Sequence, residues 1–121
     1  MRLLCADDEP DIRTILSLAL SLEPTFEAEF FDSGAALLER AAAGPADAVL
    51  LDAMMPWMDG YETCRRLKAN PATAHLPVVF LTARAQRNEL DGALGVGAIA
   101  CLTKPFDPMT LAGELLAVLQ G

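Results

Sequence analysis

The sequence predicts an α/β fold in which a five-stranded parallel sheet lies between layers of helices. Short apolar runs alternate along the chain with segments whose apolar residues recur at helical spacing. The connections are short, and no repeat, low-complexity tract or linker divides the chain. Alternating strands and helices form parallel sheets with right-handed crossovers. Because 121 residues is the size of one ordinary domain, we expect a single domain over residues 1–121.

The first half of the chain predicts three strands and two helices. The strand segments are RLLCA, FEAEFF and DAVLLD, at residues 2–6, 26–31 and 47–52. FEAEFF alternates like a strand near a sheet edge, whereas DAVLLD is apolar almost throughout, which is typical of a strand buried on both faces. Pro10 suits the first turn of a helix with helical apolar spacing. Ser33 can cap a second helix over residues 34–43, which Gly44 and Pro45 end.

The second half predicts two more strands and three helices. The strand segments are PVVFLT and AIACLT, at residues 77–82 and 98–103. Asp59 is placed to cap the third helix, with Glu62 completing a capping box, and this helix runs to about Ala69. A weaker helical pattern follows the fourth strand, at Leu90, Ala93 and Leu94. The last helix is predicted to start at Pro108 with Asp107 as its cap.

Composition excludes several classes of protein. The net charge of −8 argues against nonspecific binding to nucleic acid or to anionic membranes, because both require a basic surface. No apolar stretch approaches the ~20 residues that cross a bilayer, and the N-terminal segment does not resemble a signal peptide, so we expect a cytoplasmic protein. Cys5, Cys64 and Cys101 are too widely spaced for a disulfide framework or a zinc site and are predicted to be buried.

Polar side chains stand at the carboxyl ends of the predicted strands. Asp7 and Asp8 follow the first strand, Asp52 ends the third, Thr82 ends the fourth, and Lys104 follows the fifth. Ligands bind at this edge of an open parallel sheet. If these four strands are neighbours, three carboxylates, one hydroxyl and one ammonium group converge there.

Three adjacent carboxylates raise one another's pKa unless cations compensate for their charge. Mg²⁺ prefers an all-oxygen site with room for water, and these residues offer neither the nitrogen nor the sulfur that zinc favours. Mg²⁺ and Lys104 together would balance the three negative charges. The metal, the lysine and the threonine also suit the oxygens of a phosphoryl group, and Asp52 at the centre could act as a nucleophile that forms an acyl phosphate.

Four motifs carry these residues. They are ADDEP at 6–10, LLDAMMPWMDG at 50–60, FLTA at 80–83 and CLTKPF at 101–106. In this order and at this spacing they resemble the receiver domain of two-component response regulators, the CheY-like family, over essentially the whole chain. The resemblance implies a doubly wound, flavodoxin-like sheet of strand order 2-1-3-4-5, which the strand pattern alone does not fix.

The resemblance also assigns roles to the strand-end residues. Asp52 corresponds to the phosphoacceptor, which takes a phosphoryl group from a histidine kinase or a histidine phosphotransfer protein. The corresponding Mg²⁺ ligands, for which Mn²⁺ could substitute, are Asp7, Asp8, Asp52 and the backbone carbonyl of Met54. Thr82 and Lys104 correspond to the groups that bind the phosphoryl oxygens. The chain is expected to be a signalling domain and not an enzyme, and phosphorylation would switch its conformation. The elements expected to move are the loop after Thr82 and the helix that follows it, with Gly92, Gly95 and Gly97.

Two positions depart from the family pattern, and two other features have a structural explanation. Cys101 stands where receivers often carry a tyrosine or phenylalanine that reports activation, so the aromatic half of that switch is missing. Either Cys101 simply packs, or the switch works through loop and helix movement instead. Trp57 occupies a loop position usually filled by small or polar residues and could shape access to the site or touch a partner. Asp59 is interpreted as a helix cap and excluded from the site. The resemblance implies a cis bond between Lys104 and Pro105.

The last helix is apolar over about half its circumference, wider than one buried face needs. Its apolar residues are Met109, Leu111, Ala112, Leu115, Leu116, Val118 and Leu119. Two explanations remain open: a generously buried helix, or an exposed face that contacts a second copy or an output partner. The sequence is compatible with a free-standing receiver and with a fragment of a longer regulator.

Two other functions use related chemistry. A metal-dependent phosphatase or phosphotransferase with an aspartyl nucleophile would act on free substrates, but such enzymes need a second acid at the position of Met54. A flavin-binding module on the same fold needs a Ser/Thr/Gly-rich loop after the first strand, where this chain has DDEP. The sequence therefore favours the receiver.

Overall fold

The computed structural model describes residues 1–83 and 87–121. In these parts of the chain, strands and helices alternate. The elements are β1 (Arg2–Ala6), α1 (Pro10–Leu20), β2 (Glu27–Phe31), α2 (Gly34–Ala43), β3 (Ala48–Asp52), α3 (Gly60–Ala69), β4 (Val78–Thr82), α4 (Arg87–Gly95), β5 (Ala100–Thr103) and α5 (Leu111–Gln120). The predicted alternation is confirmed. Residues 84–86, within the loop expected to move after Thr82, lie outside the described residues, and Gly97 lies beyond the end of α4.

The five strands form one parallel sheet in the order β2-β1-β3-β4-β5. This order confirms what the family resemblance implied. All five residues of β3 are buried, as its continuous apolar run predicted, because strands lie on both sides of it and helices cover both faces. The alternating strand β2 lies at an edge of the sheet, also as predicted.

Two apolar clusters fill the space between the sheet and its helices. On one face, Leu4, Val49 and Phe80 of the strands pack with buried residues of α2, α3 and α4. On the other face, Leu50 and Leu81 pack with buried residues of α1 and α5. Successive strand residues point to opposite faces, so the same three central strands supply both clusters.

Two predicted element starts are wrong by a few residues. Strand β5 begins at Ala100 instead of 98, and α5 begins at Leu111 instead of Pro108. A separate turn precedes α5, because Oδ1 of Asp107 accepts a hydrogen bond from the Met109 amide at 2.9 Å and the Asp107 carbonyl accepts one from the Leu111 amide at 3.0 Å. Asp107 therefore caps this turn and not the helix itself.

The predicted caps of α2 and α3 are present. Ser33 Oγ accepts from the Ala36 amide at 3.1 Å, and Asp59 Oδ1 accepts from the Glu62 amide at 2.9 Å. The Glu62 carboxylate forms ion pairs with Arg65 and Arg66, at 3.1 and 3.0 Å, instead of serving the predicted capping box. Each helix is thus started by one side-chain acceptor.

The wide apolar face of α5 is mostly covered. Leu111, Ala112 and Leu115 are buried, and Leu116, Val118 and Leu119 pack partly buried against the same cluster. Met109, which is 76 % exposed, lies in the turn before the helix. The packing therefore favours the buried-helix explanation. No helix in the described ranges combines the length and apolar character of a membrane span.

Candidate functional site

Asp7 is fixed at the end of β1. Its amide donates to the carbonyl of Phe31 at 3.1 Å, which continues the pairing with β2 one residue past the strand. Its side chain is buried, and Oδ1 accepts from the Glu9 amide at 2.9 Å. Arg13, one turn into α1, donates from Nη1 to the Asp7 carbonyl at 2.8 Å. Asp8 follows at the rim of the same edge and is half-buried.

Asp52 is the last residue of the central strand and is 5 % exposed. The next residue, Ala53, donates its amide to Leu81 at 3.0 Å, and its carbonyl accepts from the Gly60 amide at 3.1 Å. A methyl group on Gly60 would lie 3.0 Å from the Ala53 Cα and would collide with the Asp52 carbonyl oxygen. Glycine therefore lets the start of α3 lie directly against the backbone of Asp52.

Lys104 connects two of the carboxylates. Its Nζ donates to Asp7 Oδ2 at 2.7 Å and lies 3.4 Å from Asp52 Oδ1. Its amide donates to the Thr82 carbonyl at 2.7 Å, so the loop after β5 is tied to the end of β4. The Lys104–Pro105 peptide bond is cis, as the resemblance implied.

Thr82 completes the set at the same edge of the sheet. It is buried and pairs in register with Thr103, whereas Asp52 pairs with Leu81. The structure thus brings all the strand-end residues predicted from the sequence to the carboxyl edge of four neighbouring strands.

The three aspartates are close enough to share one cation. Asp7, Asp8 and Asp52 each offer a carboxylate oxygen, and these oxygens lie within 4.8 Å of one another. An all-oxygen set of this kind suits Mg²⁺, which retains several water ligands. The donor chemistry of the residues present therefore fits the metal that the sequence predicted.

Burial and charge set the proton affinities in the site. Burial, followed by repulsion from Asp7, raises the pKa of Asp52 to about 6, although the Lys104 ammonium and the Met54 amide oppose this. Burial by itself would lower the pKa of Lys104, but its hydrogen bond to Asp7 and the charges of Asp52 and Asp7 raise that pKa above its ordinary value. Lys104 therefore stays charged, and Asp52 is mostly ionised at neutral pH.

Two residues of the predicted loop lie at the rim of the site. The Met54 amide donates to Asp52 Oδ1 at 3.3 Å, while its side chain is 72 % exposed. Trp57 is fully exposed and has a φ of 70°, in the left-handed region that non-glycine residues rarely adopt. Asp59 caps α3, as predicted, and is not among the clustered carboxylates.

Sequence reasoning missed Arg13 and Gly60. Arg13 lies about one and a half turns beyond the acidic pair. Its signal in the sequence was a basic side chain on a helix that starts beside two carboxylates, which favours a contact back to the loop that carries them. Gly60 was interpreted only as part of a helix start. The need for glycine there comes from the backbone of Asp52, which the sequence pattern does not place.

The family that the chain matches agrees with the geometry of the site. The chain matches the response regulator receiver domain family over residues 3–116. It belongs to that family. As a receiver domain of two-component response regulators, it is a signalling domain.

Several relatives resemble this receiver. The response regulator PleD of Caulobacter vibrioides is 40 % identical over 116 residues, which cover 91 % of this chain and 24 % of PleD. The phosphate regulon transcriptional regulatory protein PhoB of Pseudomonas aeruginosa is 36 % identical over 98 % of this chain and 51 % of its own length. The receiver thus spans between about a quarter and about half of the length of these curated relatives.

Solved receiver structures share the fold. The chemotaxis protein CheY4 of Vibrio cholerae superposes with a TM-score of 0.89 at 29 % identity, with 97 % of each chain covered. The receiver domain of the sensor histidine kinase PA1611 of Pseudomonas aeruginosa, solved with a magnesium ion coordinated in its active site cleft, has a TM-score of 0.83 at 27 % identity, covering 98 % of this chain and 93 % of that one.

Proposed function

We propose that residues 1–121 act as one receiver domain in which Asp52 accepts a phosphoryl group from a histidine kinase or a histidine phosphotransfer protein. The observation that carries this proposal is the ammonium group of Lys104, which lies between the carboxylates of Asp7 and Asp52 at the carboxyl edge of the sheet, at 2.7 and 3.4 Å. A purely structural ion pair needs one carboxylate, whereas a phosphoryl site needs a nucleophile, a cation and a metal site together.

The transfer step follows from the chemistry of the Asp52 carboxylate. A carboxylate oxygen attacks the phosphorus of a phosphohistidine, and a P–O bond forms as the P–N bond breaks. The electron pair of the broken bond remains on the imidazole nitrogen, so the products are an acyl phosphate and a free histidine. With a pKa of about 6, Asp52 is ionised at neutral pH and yet more basic than an ordinary aspartate.

The other site residues have separate tasks. Asp7 and Asp8, with Asp52 and the Met54 carbonyl, would hold Mg²⁺, for which Mn²⁺ could substitute. The bound ion would supply positive charge to the phosphoryl oxygens and allow the carboxylates to stay ionised together. Lys104 and Thr82, the latter through its hydroxyl, would contact the remaining oxygens.

The addition of a phosphoryl group is proposed to act as a conformational switch. It replaces the single negative charge of the Asp52 carboxylate with a phosphoryl group that carries ~1.5 to 2 negative charges, and it thereby changes the relative stability of two states. The output would pass to a partner or an attached domain. The proposed contact surface for that partner, or for a second copy, lies at Met109, which is exposed in the turn before α5, because the apolar face of the helix itself is mostly covered.

Intact mass measurement tests the proposal directly. The chain is incubated with Mg²⁺ and acetyl phosphate, and one added phosphate is expected. Asp52→Asn should abolish the adduct. Asp59→Asn is the matched control, because asparagine caps helices as well as aspartate does and this residue lies in the same loop. An adduct that persists in Asp52→Asn would refute the assignment, and steady hydrolysis of small phosphate esters would favour the phosphatase instead.

A further inference from the structure

An aromatic ring lies beside Cys101, although Cys101 itself is not aromatic. Cys101 pairs in register with Phe80, and both contribute to the cluster beneath α3 and α4. Tyr61 of α3 packs against the same cluster, with its ring centroid 4.9 Å from that of Phe80 and the rings inclined at 51°. Aromatic pairs at this separation and tilt are favourable. Tyr61 thus brings an aromatic ring to the face of β5 that carries the small side chain of Cys101.

The backbone of Tyr61 is coupled to the acceptor strand. Tyr61 directly follows Gly60, which donates to the Ala53 carbonyl at 3.1 Å and lies against the carbonyl oxygen of Asp52. A displacement of the end of β3 would therefore move the first turn of α3. Tyr61 stands on that turn.

The other end of Tyr61 contacts α4. Its hydroxyl donates a hydrogen bond to the Glu89 carboxylate, in the first turn of α4. A methyl group on Gly92, one turn further along α4, would lie 3.6 Å from the Cε1 atom of the tyrosine ring. Burial and the bond to Glu89 raise the pKa of Tyr61 to about 12, so the hydroxyl keeps its proton at physiological pH.

Helix α4 buries little apolar surface among its described residues. Leu90 and Leu94 are 40 % and 47 % exposed, and Ala93 is the α4 residue that the core cluster contains. One small buried side chain contributes little apolar burial compared with the leucines of α2 and α3. The hydrogen bond between Tyr61 and Glu89 therefore adds a polar contact between α3 and α4 where the apolar burial of α4 is small.

We propose that the Tyr61–Glu89 hydrogen bond is a latch that holds α4 in its unphosphorylated position and is released when Asp52 is phosphorylated. The inference rests on the proposed function. A phosphoryl group on Asp52 would draw the hydroxyl of Thr82 towards it, and Thr82 ends the strand that leads into α4. The first turn of α4 carries Glu89, whereas Tyr61 is held by its packing on Phe80, so this movement separates the two partners.

Population arithmetic gives the expected size of the effect. A hydrogen bond that exists in only one of two states biases the equilibrium towards that state by its full net contribution. Net contributions of single hydrogen bonds correspond to about a 2- to 10-fold change in an equilibrium constant. Tyr61→Phe keeps the ring and its packing but removes the donor, so it should favour the released state by this factor.

The test compares Tyr61→Phe and Glu89→Ala with Thr25→Val. Thr25 also donates its hydroxyl to a carboxylate, that of Glu23 at 2.7 Å, but in the loop between α1 and β2. Without any phosphoryl group, hydrogen exchange of the α4 amides should be about 2- to 10-fold faster in Tyr61→Phe and Glu89→Ala than in wild type, and unchanged in Thr25→Val. Tyr61→Phe is the decisive variant, because it removes this one donor and leaves the Glu89 side chain in place.

The second arm measures binding of beryllofluoride, a mimic of the phosphoryl group, in the presence of Mg²⁺. Tyr61→Phe should bind it about 2- to 10-fold more tightly than wild type, with Thr25→Val unchanged. Equal affinities, or unchanged exchange in α4, would overturn the latch while leaving phosphorylation of Asp52 intact. If wild type binds no beryllofluoride and takes up no phosphate, the proposed function fails, and the latch fails with it.

Discussion

Asp52→Asn should make the metal-free protein more stable at neutral pH, although it removes the proposed phosphoacceptor. The carboxylate is buried next to Asp7, and these two effects raise its pKa to about 6 from an ordinary value of 3.8. Folding therefore disfavours the ionised form of Asp52. Asparagine has nearly the same shape and carries no charge, so the variant avoids this cost.

The size of the effect follows from linkage between ionisation and folding. Below an unfolded pKa of 3.8 the carboxyl group is protonated in both states and costs nothing. As the pH rises from 3.8 to the folded pKa of about 6, stability is lost, and above the folded pKa the loss is constant at about 3 kcal/mol. The advantage of Asp52→Asn should thus be about 1 kcal/mol at pH 4.5 and about 3 kcal/mol at pH 7.5.

Urea unfolding of wild type and Asp52→Asn in the presence of a chelator, at both pH values, measures this difference. Asp59→Asn serves as the control, since it makes the same exchange in the same loop but outside the carboxylate cluster. Saturating Mg²⁺ should reduce the difference at pH 7.5, because a cation bound to the folded state offsets the repulsion. A variant no more stable than wild type at pH 7.5, or a difference that is the same at both pH values, would refute the reasoning.

Three further changes have expected outcomes. Gly60→Ala should destabilise the fold by about 1–3 kcal/mol, because the added methyl group overpacks against Ala53. Gly113→Ala should instead stabilise α5 by up to about 1 kcal/mol, because its methyl group would enter open space, and thermal unfolding of the two variants measures both effects. Trp57→Gly should be neutral to stabilising by about 1 kcal/mol, since relief of the left-handed φ exceeds the entropy that glycine adds to the unfolded chain; a clear loss of stability would mean that the indole makes contacts. Asp8→Asn should weaken Mg²⁺ binding at least 10-fold in calorimetry with little change in unfolding free energy, and unchanged affinity would remove Asp8 from the metal ligands.

The sequence predicted the sheet and its polar edge because both follow from local patterns. Continuous apolar runs such as residues 47–52 are typical of central strands, and the carboxyl ends of parallel strands meet at one edge. Asp52 and Lys104 could therefore be placed near each other although they are far apart in the chain. The strand order came from the family resemblance, since the runs themselves do not determine which strands are neighbours.

Features that depend on contacts between elements could not be predicted. The start of α5 at Leu111 reflects a turn in which Asp107 accepts hydrogen bonds from three backbone amides. The sequence signals for such a turn and for a helix start are nearly the same. The proximity of Tyr61 to Cys101 depends on how α3 lies across β4 and β5. An aromatic residue missing from one strand gives no indication of a ring supplied by another element.

The exposed position of Trp57 has a practical consequence. The chain contains one tryptophan, so its near-ultraviolet emission reports on that side chain alone. Because the indole is fully exposed, the isolated protein should emit at the long wavelength typical of tryptophan in water. A phosphodonor protein that covers the loop between β3 and α3 would transfer the ring to a drier environment and shift the emission to the blue. The molecule thus carries an intrinsic fluorophore beside the residue proposed to be phosphorylated.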